Sequence, residues 1–283
     1  MQAMKACELF RAGPKLKLRD ADAGRTPLSA SRRPGNKHLA AADIKEMDKD
    51  AARELGKRIA ELQPMLFAER KRKLLLILQG TDTSGKDGAV KALFDDVNPM
   101  GLRPVAFKAP TEIEKSYDYL WRVHKEVPQA GEIVVFNRSH YEDVLITRVQ
   151  GWISTAECKR RYAQIRDFER MLAETGTTIV KIFLHISKDE QKERLQARLD
   201  DPEKQWKFDP ADLEQREKWD DYLRAYERAI SETDATHAPW YIVPADSKPH
   251  RNLAVASIVL ETLQAMKLKW PAPNPELAKV RIR

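Results

Sequence analysis

Residues 73–90 read KLLLILQGTDTSGKDGAV, and this stretch decides the fold. The apolar run from Leu74 to Leu78 has the length of a buried strand and ends at Gly80. A turn follows, and Gly85-Lys86 opens a segment that reads as a helix. The spacing G-x-x-x-x-G-K is that of a phosphate-binding loop, and the strand before and the helix after are its confirming context. Backbone N–H groups at the helix start attract anions, and the lysine adds a mobile positive charge. The usual Ser or Thr after the lysine is replaced by Asp87. The plainer alternative is a glycine turn with Lys86 solvated.

Working outward, helices and strands alternate. Apolar residues at three- and four-residue steps predict a helix over 40–71. Short apolar runs predict strands at 73–79, 104–108, 132–136, 178–186 and 240–244. Helices are expected from the loop to about 97, over 113–127, 154–175, 188–200, 211–232 and 251–268. Alternation of this kind, without hairpin signals, implies a mostly parallel sheet with right-handed crossovers. The expected fold is therefore α/β, a three-layer α/β/α P-loop kinase-like core with a helical lid. The domain is read as 38–283, with the lid inserted at about 188–232. Residues 1–37 are rich in Lys, Arg, Pro, Gly and Ser and read as a basic, irregular arm, either lying on the domain or mobile. The tail from 270 to 283 carries three prolines and is expected to wrap the surface.

The 283 residues carry a net charge of +7 and are 33% charged, with both signs interleaved. The basic excess suits an anionic ligand or is a general surface property. Cys7 and Cys158 lie far apart and form no metal cluster, which fits a reduced, cytoplasmic setting. No run approaches the roughly 18 apolar residues of a membrane span, and no secretory leader is read at the start. No membrane or nucleic-acid partner is expected.

Three clusters carry chemistry. In the loop, Asp82 and Asp87 flank Lys86. Carboxylates repel phosphate unless a cation screens them, and Mg²⁺ binds through one or two carboxylates plus phosphate oxygens. Asp87 reads equally well as a first-turn residue favoured by the helix dipole. The second cluster, Phe136-Asn137-Arg138-Ser139-His140-Tyr141-Glu142-Asp143, ends a strand, where ligands of parallel sheets gather. Asn137 offers an oxygen without charge, and the planar fork of Arg138 matches phosphate oxygens. Glu142 and Asp143 serve metal or substrate, or cap the following helix. The third cluster is the charged insertion: Arg194 and Arg198 share a helix face, and Lys204, Trp206, Lys207 and Phe208 follow. It reads as a lid over phosphates or as a solvated helix. Tyr117, Tyr119 and Trp121 are candidates for stacking a nucleoside or for core packing. His124, His140 and His185 have no partner spacing that implies catalysis.

Together these clusters resemble the polyphosphate kinase 2 family, over about residues 39–271. The residues carrying the resemblance are Gly80-Thr-Asp-Thr-Ser-Gly-Lys-Asp-Gly88, Phe136-Asn-Arg-Ser139 with Tyr141, and Arg194/Arg198 followed by Trp206-Lys-Phe208. Asn137 departs from the Asp found in much of the family, and FNRSxYEDVL resembles the class III branch. The resemblance implies reversible transfer of the terminal phosphate of inorganic polyphosphate to ADP or AMP, with Mg²⁺ or alternatively Mn²⁺. It implies catalytic roles for Asp82, Lys86 and Arg138. Gly80, Thr83, Gly85, Asp87, Gly88, Asn137 and Glu142 would bind nucleotide phosphates, with Asp82 and Asn137 beside the metal. Arg194, Arg198, Lys204 and Lys207 would line the donor channel. A homodimer or homotetramer is implied as well. Two other readings are an ATP-dependent kinase and a non-catalytic basic protein that binds polyanions. Asp87 in place of Ser/Thr favours polyphosphate over ATP as the donor.

Overall fold

Leu74 to Leu78 are completely buried because their strand is the middle one of the sheet. The computed structural model describes residues 5–33, 35–36 and 38–282. Helix α1 (Ala41–Glu69) leads into β1 (Lys73–Gln79), α2 (Lys86–Phe94) and β2 (Leu102–Ala106). Then come β3 (Ile133–Asn137), α3 (Thr155–Glu174) and β4 (Thr177–His185). The chain closes with α4 (Lys188–Leu199), α5 (Ala211–Glu217), α6 (Trp219–Thr233), β5 (Trp240–Pro244) and α7 (Lys248–Ala265). The strand order is β2-β3-β1-β4-β5, and every pairing is parallel. The sheet expected to be mostly parallel is thus wholly so among the described residues. Helices α1, α2 and α7 pack together on one face, and α3 with α6 cover the other. Coverage on both faces is why the strands read as continuous apolar runs rather than alternating ones. Pro104 lies in β2, an edge strand, where a missing N–H is tolerated.

Three expectations change. The helix expected over 113–127 is two one-turn helices, Glu112–Lys115 and Trp121–His124. Thr111 and Glu114 form a capping box that starts the first. Asp118 Oδ1 accepts the Leu120 N–H at 3.0 Å and turns the chain between them. The last helix begins at Lys248 rather than near 251. Ser247 caps it, and Pro249 sits in the first turn, where no N–H is needed. The span 188–232 holds two kinds of helix: α4 and α5 flank the carboxyl ends of the strands, whereas α6 buries Trp219, Tyr222, Tyr226 and Ile230 against the core.

Among residues 5–33, short helices occur at Ala6–Leu9 and Asp20–Ala23. Ala12 N–H donates to Trp240 O at 2.9 Å and Ile242 N–H to Phe10 O at 2.8 Å, so this segment pairs with the outer edge of β5. The amides of Ala6 and Cys7 donate to the Glu261 carboxylate at 2.8 and 2.9 Å. Residues 1–4, 34 and 37 of the arm lie outside the described residues. The described side chains of the tail from 270 stay exposed. No helix among the described residues is long and apolar enough to cross a membrane.

His250, fully buried in the first turn of α7, accepts the Leu28 N–H at Nε2 (3.3 Å) and is therefore neutral. Burial, opposed by the nearby Asp48 carboxylate, lowers its pKa from 6.5 to about 4. Because the unfolded chain takes up this proton first, stability is full above pH 6.5 and falls as the pH drops toward 4. The loss from this group approaches about 3 kcal/mol. His250→Gln, which keeps an acceptor for Leu28, is expected to flatten that slope in urea titrations between these pH values. An unchanged slope would contradict the assignment.

Candidate active site

The phosphate loop leaves β1 at Gly80 and re-enters regular structure at Lys86. Gly85 caps α2 at φ +94°, a left-handed conformation that glycine adopts without strain. Thr83 is also left-handed, at φ +63°. Lys86 is buried, and its Nζ donates to the carbonyls of Gly80 (2.7 Å) and Thr81 (3.2 Å). Burial and the neighbouring Arg138 charge lower its pKa to about 8, against the pull of Asp82, Glu142 and Asp87. The lysine therefore rests on the loop's own carbonyls, and a phosphate entering the loop would offer it a better partner.

The second loop leaves β3 beside the first because β3 is hydrogen-bonded to β1, with Leu78 opposite Asn137. Arg138 is left-handed (φ +61°), and its N–H donates to Leu78 O at 3.1 Å. Its Nη2 pairs with Asp82 Oδ1 at 2.7 Å. Asn137 Nδ2 donates to Asp87 Oδ1. Burial raises the pKa of Glu142, against Arg138 and Lys86. Gln79 links Glu142 to Ser139: with its amide nitrogen facing Glu142 Oε1 (3.1 Å), its oxygen accepts from Ser139. Beneath this loop lies a charged network with no solvent contact. Lys181 Nζ reaches Glu169 Oε2 (2.6 Å), the Tyr141 hydroxyl (2.9 Å) and Thr233 O (2.8 Å). The Tyr141 hydroxyl in turn donates to Glu169 Oε1 at 2.8 Å. Tyr141 is the hinge between this network and the site above it.

The two loops open onto a groove of about 830 Å³, continuous with solvent. Asp82, Thr83, Gly85, Lys86, Asp87 and Gly88 line it from the first loop, and Asn137 and Arg138 from the second. Arg194, Arg198, Lys204 and Lys207 line the opposite wall. Gly80, Asp82, Arg138 and Glu142 also border a narrow pocket of about 20 Å³, room for a single water, closed by Trp219, Tyr222 and Tyr226 of α6. Each residue expected in the site thus lies at one of two adjoining cavities. Arg194 differs from expectation in its bonding. Its guanidinium donates to Thr83 O (2.9 Å), Ala245 O (2.6 Å) and Asp246 O (2.9 Å), and pairs with Glu190 (2.7 Å). It staples the phosphate loop to the start of α7 rather than standing free for a donor. Tyr117, Tyr119 and Trp121 line neither cavity: Tyr117 stacks on Trp121 at 4.0 Å, and Tyr119 lies under Arg161.

Comparison with known proteins decides the family. Residues 43–271 match the family profile described as "Polyphosphate kinase 2 (PPK2)". The chain belongs to the polyphosphate kinase 2 family. An AMP/ADP-polyphosphate phosphotransferase from Meiothermus ruber is 52% identical over 81% of this chain and 85% of its own length. An ADP-polyphosphate phosphotransferase from Rhodopseudomonas palustris is 42% identical over 84% and 86%. The crystal structure of polyphosphate kinase 2 from Arthrobacter aurescens TC1 superposes with a TM-score of 0.90 at 46% identity, covering 98% of this chain and 95% of that one.

Polyphosphate kinase 2 enzymes generally use a divalent metal. Among the described residues no three His, Cys, Asp or Glu side chains form a cage. Asp82, Asp87 and the amide of Asn137 give hard oxygen donors on one groove. Such a set fits Mg²⁺, which completes its shell with phosphate oxygens and water.

Several residues of this polyphosphate kinase 2 site escape sequence reasoning. Trp219 Nε1 and the Tyr222 hydroxyl are buried without partners at the narrow pocket. Lys248 lines the groove from the first turn of α7. Arg251 packs against the loop glycines. A helix rich in both charge and aromatics gives no spacing signal for Trp219 and Tyr222.

Lys181→Met should cost about 3–5 kcal/mol of stability, because Glu169 keeps its buried charge unpaired. Adding Glu169→Leu should restore part of that loss. Urea unfolding of the single and double variants checks this; additive losses would contradict it.

Proposed function

We propose that the chain moves the terminal phosphate of inorganic polyphosphate onto AMP and ADP, reversibly, as in the class III branch. The observation that carries the reading is one groove in which Lys86 and Arg138 share the lining with Arg198, Lys204 and Lys207, eight cationic side chains against six carboxylates in all. Cations spread along so long a groove suit a long polyanion better than a single triphosphate. The 52% identity to a protein named for transfer to both AMP and ADP supports the choice of acceptors.

The chemistry needs little from the protein beyond positioning and charge. An oxygen of the acceptor phosphate attacks the terminal phosphorus of the chain. The bridging P–O bond breaks, and the shortened polyphosphate leaves with the electron pair. The attacking oxygen is already anionic at neutral pH, so no strong base is required. Lys86 leaves the Gly80 carbonyl for the transferring group, and Arg138 meets its equatorial oxygens. Asp82 holds Arg138 in place. Mg²⁺ or Mn²⁺, held by Asp82 with Asn137 and Asp87 beside it, would offset the charge between the two phosphates when bound. Arg194 secures the loop, while Arg198, Lys204 and Lys207 take the donor chain. Trp219 and Tyr222 close the narrow pocket behind Asp82 and Arg138. The reading includes a homodimer or homotetramer in the cytoplasm; light scattering reads the assembly.

Incubated with Mg²⁺, polyphosphate and AMP, without ATP, the protein should form ADP and then ATP. Lys86→Ala should lower the rate by about 10²–10³. No new nucleotide from the wild-type protein would sink this reading in favour of an ATP-dependent kinase. Lys204→Ala with Lys207→Ala should raise KM for polyphosphate several-fold and leave KM for AMP within twofold. Equal increases in both constants would contradict the donor wall.

A further inference from the structure

Arg251 enters the site from behind. It stands in the first turn of α7 and is 3% exposed. Its Nε and Nη2 donate to one neutral acceptor, Asn252 Oδ1, at 3.1 and 2.7 Å. Among the described residues it forms no ion pair, and the charge beside it is that of Arg194. A Cβ on Gly85 would lie 1.9 Å from Arg251 Nη1, and one on Gly88 would lie 3.2 Å from Nη2. The guanidinium therefore turns its Nη1 and Nη2 ends toward the turn from Gly85 to Gly88, which is the GKDG segment itself.

Two consequences follow. First, Gly88 has an ordinary helical conformation, so its backbone does not require glycine; the guanidinium, 3.2 Å from where a Cβ would stand, is what would have to give way to a side chain. Second, a buried cation without a counter-ion is costly, and it becomes favourable only when an anion arrives nearby. Burial, with the Arg194 charge second, lowers the Arg251 pKa to about 10, in keeping with an uncompensated site.

We propose that Arg251 is a positioning residue for phosphoryl transfer: it braces the Gly85–Gly88 turn and holds a buried positive charge that substrate phosphate in the loop neutralises. The inference rests on the reading of that loop as the phosphate site. It concerns a residue that touches the loop and not the reacting atoms.

The test pairs Arg251→Met with Arg251→Lys in the full-length protein. Arg251→Met removes the unpaired charge, so its ligand-free melting temperature should stay within a few degrees of wild type or rise. The upward shift in melting temperature produced by tripolyphosphate should shrink, and kcat/KM should fall at least tenfold. Arg251→Lys should recover a measurable part of both. Gly88→Ala should lower kcat/KM several-fold alone but cause little further loss in the Arg251→Met background, since the group it meets is gone. A residue with only a packing role would instead give a large drop in ligand-free melting temperature with a normal tripolyphosphate shift. That result, wild-type kinetics for Arg251→Met, or no recovery in Arg251→Lys, would overturn the proposal. The loop's phosphate role is tested separately by Lys86→Ala: if that variant keeps full activity, the underlying reading fails whatever Arg251 does.

Discussion

Like charges crowded around a short loop are the constraint on which this structure depends. Lys86, Arg138, Arg194 and Arg251 gather at the carboxyl end of β1, and their mutual repulsion must be offset without phosphate present. The protein does this mostly with oxygen dipoles. Lys86 sits on two loop carbonyls, and Arg194 on three more from Thr83, Ala245 and Asp246. Carboxylates meet two of the cations, Asp82 beside Arg138 and Glu190 beside Arg194. Carbonyls hold a cation in place without cancelling its charge, so Lys86 keeps that charge for an incoming phosphate. That suits a reaction whose reactants are both polyanions.

The rest of the fold serves to keep these groups from moving apart. The parallel register of β1 with β3 fixes where Arg138 stands relative to the phosphate loop. The buried Lys181–Glu169 pair holds Tyr141, and through it the loop that carries Arg138 and Glu142. A buried ion pair of this kind is weak as a source of stability and strong as a source of specificity of position. Helix α7 contributes by its start. Ser247 and Pro249 set that start, and they deliver Arg251 and Lys248 to the site's two sides.

Much of this was legible in the sequence because the informative signals are local. The run from Leu74 to Leu78, the glycines and lysine after it, and the FNRS segment each lie within a few residues of one another. They led to the parallel sheet, to the placement of Asp82, Lys86, Asn137 and Arg138, and to the family. What escaped reading depends on contacts between distant segments. Arg194 looked like a free lid cation because its carbonyl partners come from the phosphate loop and from the end of β5. Arg251 follows a proline in a helix start, and only its approach to Gly85 reveals a role. Trp219 and Tyr222 belong to a helix whose apolar face serves both core and pocket. Tyr117 and Trp121 invited a stacking role, but they stack on each other.

A crystal structure with a non-hydrolysable, methylene-bridged polyphosphate and AMP would reveal where the transferring phosphate sits. Terminal phosphate oxygens are expected within hydrogen-bond distance of Lys86 Nζ and Arg138, with Lys86 lifted from the Gly80 carbonyl. The rest of the chain should run toward Arg198 and Lys207. A polyphosphate chain bound away from the loop, with Lys86 still on the Gly80 carbonyl, would contradict this placement.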